Sequence, residues 1–303
     1  MGLFGSYENA GAGINPYAPK KKPFARFWEL LWRNSGKIFL LNVIFSGFQI
    51  PMMLALVFYI ETNNKLTVPM CILLLIIQAF LEGPVMAGCA RVLRLCVLDK
   101  AFFLWEEFKK GFQQNVGVSV LVFAIDLLVA ASVWCGWHMY PQLAENTGSK
   151  IVYVPFVISL AVALVVLFMN FFLLPMQVAT KLSKKNVFKN SFMLACLSPK
   201  TCVLTFVCIA VTLALCVGVM MLSSYLMFIF VFFPAAFIGY TVMFINYPVI
   251  QRYVIKPYYE SSGEQNPEAD PVIPEEERIF TDRGGSETPI KKEKSKRRGK
   301  TIS

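Results

Sequence analysis

A single histidine, His138, stands among 303 residues, and that scarcity closes several routes to chemistry. A zinc-protease helix of the H-E-x-x-H type needs two histidines on one face. The sequence also lacks a P-loop GK[ST], a dinucleotide glycine fingerprint and a G-x-S-x-G turn that could present a serine to a His/Asp pair. The eight cysteines (71, 89, 96, 135, 196, 202, 208 and 216) show none of the close paired spacing of a zinc site or disulfide framework. All lie in or beside apolar segments and read as free thiols used as small hydrophobes. Charge is sparse as well, at 16% of residues, against 56% hydrophobic and a mean hydropathy of +0.56. That balance excludes an ordinary soluble domain. The beginning does not read as a secretory signal, because three lysines lead into an aromatic amphipathic stretch with no cleavage-like site after a short apolar core. No cofactor is implied.

What is present is a series of long apolar runs. A membrane-spanning helix needs about 20 mostly apolar residues, since hydrocarbon offers no water to free backbone groups. Six runs qualify, at roughly 38–60, 67–90, 116–138, 152–178, 201–222 and 225–250. The last two are separated only by Ser223 and Ser224, which predicts a tight hairpin. The expected fold is an all-α, polytopic membrane protein of six spans over residues 23–257. By composition, 1–22 reads as a disordered N-terminal segment and 258–303 as a disordered charged tail.

The cations set the orientation. Of 29 Lys and Arg, six precede the first span, five lie in 91–115, five in 181–200 and eleven from Arg252 onward, leaving only Lys65 and Lys150 for the other side. Under strict alternation this places both termini in the cytoplasm. The net charge of +10 is thereby explained by topology, without nucleic acid as a partner.

Three stretches outside the spans are amphipathic. From Pro23, the residues Phe24, Phe27, Trp28 and Leu31 share one face, which suits either a helix in the headgroup layer or an extension of the first span. In DKAFFLWEEFKKGFQQNV (99–116), Ala101, Trp105, Phe108 and Phe112 recur together. In KKNVFKNSFMLACLSPK (184–200), Phe188, Ser191, Phe192 and Ala195 do so before Pro199. Both are expected as short cytoplasmic surface helices. The end of the chain turns acidic (EEER, 275–278) and then basic (KKEKSKRRGK, 291–300), a composition that could gather anionic lipid headgroups.

The order of short motifs carries a resemblance. GLF (2–4) opens the chain, and the first apolar run holds FLLNVIF (39–45). GPVMAG (83–88) precedes a basic exit, FKKGFQQN (108–115) closes the first inner loop, LLPMQ (173–177) ends the fourth run and KNSFMLA (189–195) follows. Over about residues 24–250 the sequence resembles the YesL-like family of bacterial integral membrane proteins. The resemblance implies a small protein of the bacterial cytoplasmic membrane, often encoded beside carbohydrate-uptake or glycan-degradation genes, and supplies no catalytic residues.

Polar residues inside the spans are the candidate site. Counted from the first flanking cation or span start at 1.5 Å per residue, Glu82 lies roughly 13 Å deep, Asp126 roughly 15 Å and Asn170 roughly 16 Å. Asn42, Asn246 and Gln177 lie nearer the same surface. Gly83-Pro84 and Pro175 accompany this layer as helix breakers, so a polar cavity open to the cytoplasm and lined by Glu82, Asp126 and Asn170 is expected. The competing expectation is that these groups simply hydrogen-bond helices together. His138, beside Trp134, Trp137 and Tyr140, belongs to an aromatic belt rather than to catalysis. Two functions remain: a non-enzymatic accessory or regulatory partner of a membrane transporter, or a small secondary transporter or channel using the acidic layer.

Overall fold

The computed structural model describes residues 22–60, 67–222 and 234–263, together with 266 and 268. Every element among them is a helix. In chain order these are α1 (Pro23–Arg33), α2 (Ser35–Phe48), α3 (Ile50–Ile60), α4 (Thr67–Val97) and α5 (Leu104–Thr147). They continue with α6 (Val154–Ala179), α7 (Lys184–Leu197), α8 (Pro199–Leu222), α9 (Pro234–Ile250) and α10 (Lys256–Ser262). A 3₁₀ turn at Lys150–Tyr153 leads into α6, and a π turn at Gln251–Ile255 joins α9 to α10. Residues 26–267 form one compact unit; of the second, made of the two chain ends, only 22–25 and 268 are described.

The all-α, polytopic character is plain. α4, α5, the segment Lys150–Ala179 and α8 are each long and apolar enough to cross a membrane, and the bent pair α2–α3 makes a fifth candidate. Of the sixth expected span, 225–250, the stretch from Pro234 is α9; the serine hairpin and residues 225–233 lie outside the described residues. So do residues 1–21, and nearly all of the tail beyond Gly263. The tail's expected start at 258 falls within α10, which ends at Gly263 in the left-handed region, φ 70°.

Three expectations are corrected. The first run, 38–60, bends by 44° at Gln49. Pro51 supplies no N–H to the Gly47 carbonyl, which is a sufficient cause of a kink. Of the surface helix expected within 99–116, the residues from Leu104 onward are the first part of α5, which runs unbroken for 44 residues. No proline interrupts it before Pro141, and Glu106 and Glu107 suit its N-terminal turn. At 1.5 Å per residue it extends for about 66 Å, twice a hydrocarbon thickness of about 30 Å. The third correction concerns the breakers: α4 passes through Pro84 and α6 through Pro175 without interruption. The second surface helix is separate as expected, being α7, set off by Thr180–Ser183 and by Ser198 before Pro199.

Gly83 owes its place to packing. A Cβ there would meet the Ser119 carbonyl oxygen at 2.3 Å, and one on Gly88 would meet the Phe108 ring at 2.8 Å. From the other side, a Cβ on Gly111 would meet the Gly88 Cα at 3.0 Å. GPVMAG is thus a small-residue seam that brings the α4 and α5 backbones together, the usual way membrane helices pack without a hydrophobic drive between them.

The core gathers at one end. Val85, Val92, Leu93, Phe172, Leu173, Met176, Tyr240, Met243, Tyr247 and Ile250 are all buried. They come from the C-terminal parts of α4 and α6 and from α9. Phe27 of α1 packs its ring against Phe237, Tyr240 and Phe244, and Tyr240 Oη donates to the Phe27 carbonyl at 2.9 Å. Of the amphipathic face expected on this helix, Phe27 and Leu31 pack inward together with Leu30, while Trp28 is half exposed. Away from this end burial thins, and the most apolar window of Lys150–Ala179 contains no buried residue.

Candidate functional site

The intramembrane polar residues resolve into several separate contacts. At the α2–α3 bend, Gln49 Nε2 donates to Glu82 Oε2 at 2.8 Å. Gln78, one turn before Glu82, donates through Nε2 to Gln49 Oε1 at 3.0 Å and to Glu82 Oε2 at 2.5 Å. Gln78 is buried, and its Oε1 has no hydrogen-bond partner. This cluster ties the broken helix to α4.

Asp126 and Asn170 form the second contact. Asn170 Nδ2 donates to Asp126 Oδ1 at 2.6 Å, joining α5 to α6. Both residues line a groove of about 660 Å³, walled by Val129, Val133, Val166 and Leu167 and flanked by Trp134 and Trp137. Glu82 does not line it. The α4–α5 seam explains why: Gly83 abuts Ser119, so Glu82 is level with that residue. The seven steps from Ser119 to Asp126 span about 10 Å. The equal depths expected from the sequence used a different starting residue on each helix. With α5 extending through the charged loop, those starting points share no common plane.

The remaining candidates hold helix pairs together. Asn42 Oδ1 accepts from the backbone N–H of Ala236 at 2.8 Å, binding α2 to the first turn of α9. Asn246 Nδ2 donates to Thr205 Oγ1 and to the Val242 carbonyl, each at 2.9 Å. Ser119 Oγ donates to Gln177 Oε1 at 3.4 Å, beside Gly83. His138 stacks edge-on to Trp134 at 4.6 Å among exposed aromatics. Among the described residues no group of three or more His, Cys, Asp or Glu could hold a metal.

The charged end carries residues that sequence reasoning treated only as topological cations. Arg94 Nε donates to Tyr247 Oη and its NH1 to the Val178 carbonyl, both at 2.9 Å, linking α4, α6 and α9. Arg91 donates to Glu107 Oε2 at 2.7 Å and to Gln114 Oε1 at 2.9 Å, and Lys110 donates to Glu107 Oε1 at 2.9 Å. Glu107 lies in the polar first turns of α5, ahead of the apolar run. Burial raises its carboxyl, but the hydrogen bonds and charges of Lys110 and Arg91 outweigh that and hold it below the usual carboxylate range. Arg33, at the end of α1, pairs with Asp99 in the α4–α5 turn.

A second groove, of about 780 Å³, lies between α7 and the π turn with α10. Its walls include Phe192, Met193, Leu197, Tyr253 and Tyr258, which are 44% to 59% exposed. Lys185, Lys189, Arg252 and Lys256 stand on the same elements. Gln49 and Gln78 had a legible signal, since each is an amide within an apolar run and Gln78 precedes Glu82 by one helical turn. Arg94 offered none beyond its charge. Comparison of the chain with protein-family models, curated proteins and solved structures found no match.

Proposed function

We propose that this chain is a non-enzymatic accessory or regulatory partner within a larger membrane assembly of the bacterial cytoplasmic membrane. One observation carries the reading: the groove between α7 and α10, elements that also carry Lys185, Lys189, Arg252 and Lys256, presents five large apolar side chains outside the apolar runs. A contiguous exposed apolar surface is the ordinary mark of an interaction site. With 27 of the 29 cations assigned to one side, that groove faces the cytoplasm. The resemblance to YesL-like proteins points to a carbohydrate uptake system as the assembly served. The separate polar contacts support the same reading, because each joins two helices and, of the candidate polar residues, the α5–α6 groove takes up only Asp126 and Asn170. Affinity purification of the tagged full chain from its host in mild detergent, followed by mass spectrometry, tests it. Stoichiometric recovery of a membrane complex is expected; recovery of the chain alone after crosslinking sinks the proposal.

A small secondary transporter or channel is the second reading, favoured by the bend at Gln49 and the buried, unpartnered Gln78 Oε1 beside Glu82. Bent helices with polar groups at the break are how transporters build ion sites. Under this reading Glu82→Gln abolishes flux in proteoliposomes. Under the accessory reading the folded variant still co-purifies with its assembly.

A further inference from the structure

The groove between α5 and α6 differs from the other polar contacts in one respect. The Gln49–Gln78–Glu82 cluster, Asn42 and Asn246 sit between helices of this chain, whereas every described residue lining the groove belongs to α5 or α6. Past Val122 the only buried residue of α5 is Gly136, and the most apolar window of Lys150–Ala179 has none. The two helices therefore form a hairpin whose groove no third described helix fills. At its base stand a carboxylate and an amide. Their mutual hydrogen bond occupies Asp126 Oδ1 and an Asn170 N–H, and leaves Asp126 Oδ2 and Asn170 Oδ1 as acceptors. No Lys or Arg among the described residues forms a salt bridge with Asp126. Ionisable groups at membrane depth are normally covered by protein and paired, because hydrocarbon solvates them poorly.

We propose that this groove receives a transmembrane helix of another protein, one that carries a lysine or arginine at the depth of Asp126. The proposal rests on the accessory reading and names the chemistry of the partner. The walls suit it: Val129, Val133, Val166 and Leu167 offer ridges for an apolar helix, and Ala130 and Ala163 allow close approach. The carboxylate then selects the partner by charge, while α7 and α10 hold a separate surface. A second copy of this chain fits less well, since two-fold packing on the groove would bring Asp126 toward its own counterpart.

The test uses the full chain in its host membrane, with a photoreactive benzoylphenylalanine placed at Val133 or Val166 in the groove. Control probes stand at Leu128 on another face of α5 and at Phe192 in the α7–α10 groove. The expected product is a crosslink from the groove probes, absent at Leu128, to an apolar segment of a second protein that contains Lys or Arg. Its yield falls at least about tenfold in Asp126→Asn and is retained in Asp126→Glu. Replacing the partner's cation with Met leaves this chain intact and must give the same loss, which keeps the test decisive if Asp126→Asn misfolds. A groove crosslink to this chain's own peptides overturns the proposal, as does a partner segment without a cation. A partner captured only at Phe192 overturns the groove assignment and leaves the accessory reading standing. No protein captured at either groove overturns both.

Discussion

Arg94 and Tyr247 are 153 residues apart in sequence and joined by a 2.9 Å hydrogen bond from the guanidinium to the phenol oxygen. The same guanidinium reaches the Val178 carbonyl in the last turn of α6. A cation at a helix C-terminus is favoured by the helix dipole, and a planar fork can serve two acceptors at once. Arg94→Met therefore leaves a phenol and a carbonyl without their donor and lowers stability by about 2–4 kcal/mol. Arg94→Lys does not restore it, because one ammonium lacks the fork. Unfolding in a mixed-micelle denaturant titration measures both. Wild-type midpoints in both variants reduce this contact to decoration.

The α4–α5 seam makes a steric prediction. Gly83→Ala places a methyl against the Ser119 backbone, which cannot rotate away, and overpacking of this kind costs about 1–3 kcal/mol. Gly218 on α8 has nothing within 4 Å of a built Cβ, so Gly218→Ala leaves stability unchanged or slightly raised. The same titration compares the two, and equal effects would remove the seam from the account.

Separation of the acids is measurable by double-mutant cycles. Asp126→Ala and Asn170→Ala share a hydrogen bond and should couple by about 0.6 kcal/mol, up to about 1.7. Asp126→Ala and Glu82→Ala should be additive within about 0.3–0.5 kcal/mol. Strong coupling between Asp126 and Glu82 would return them to one shared cavity.

Glu107 sets a pH dependence. Its carboxyl is held low in the folded protein, so its contribution is fully present above the ordinary carboxylate value, near 4.5, and is lost as pH falls through the folded value. Unfolding midpoints collected from pH 7 down to pH 3 should decline on the acid side. The decline should be shallower in Glu107→Gln. Lys110 is half exposed, so the difference is modest and shrinks with salt.

Much of the architecture was legible because the membrane imposes one rule on every span. Backbone groups must pair within the segment, so an apolar run of sufficient length is a helix, and 67–90, 116–138, 152–178 and 201–222 all fall within helices. What could not be read depends on neighbours. Gly83-Pro84 looks like a breaker in isolation; only Ser119 on α5 shows why the glycine is there. Likewise, 101–115 has a surface helix's amphipathic pattern, but nothing local marks where it would stop before the apolar run begins. Among the polar residues, type was readable, whereas their relative depths and the partners of Glu82 were not. Those partners, Gln49 and Gln78, depend on a bend in one helix and its register against another.

The length of α5 has a mechanical consequence. Its close contacts with α4, at Phe108, Gly111 and Ser119, act as a fulcrum near the charged end, while the far arm touches α6 at Gly136. Beyond Val122 the rod continues for 25 residues to Thr147, about 37 Å. A pivot of about 5° at the fulcrum sweeps the far tip by about 3 Å, as plain lever geometry on that length. Anything gripping Glu107 at the short arm therefore has a transmission to the opposite face of the bilayer, with Asp126 riding on the long arm between.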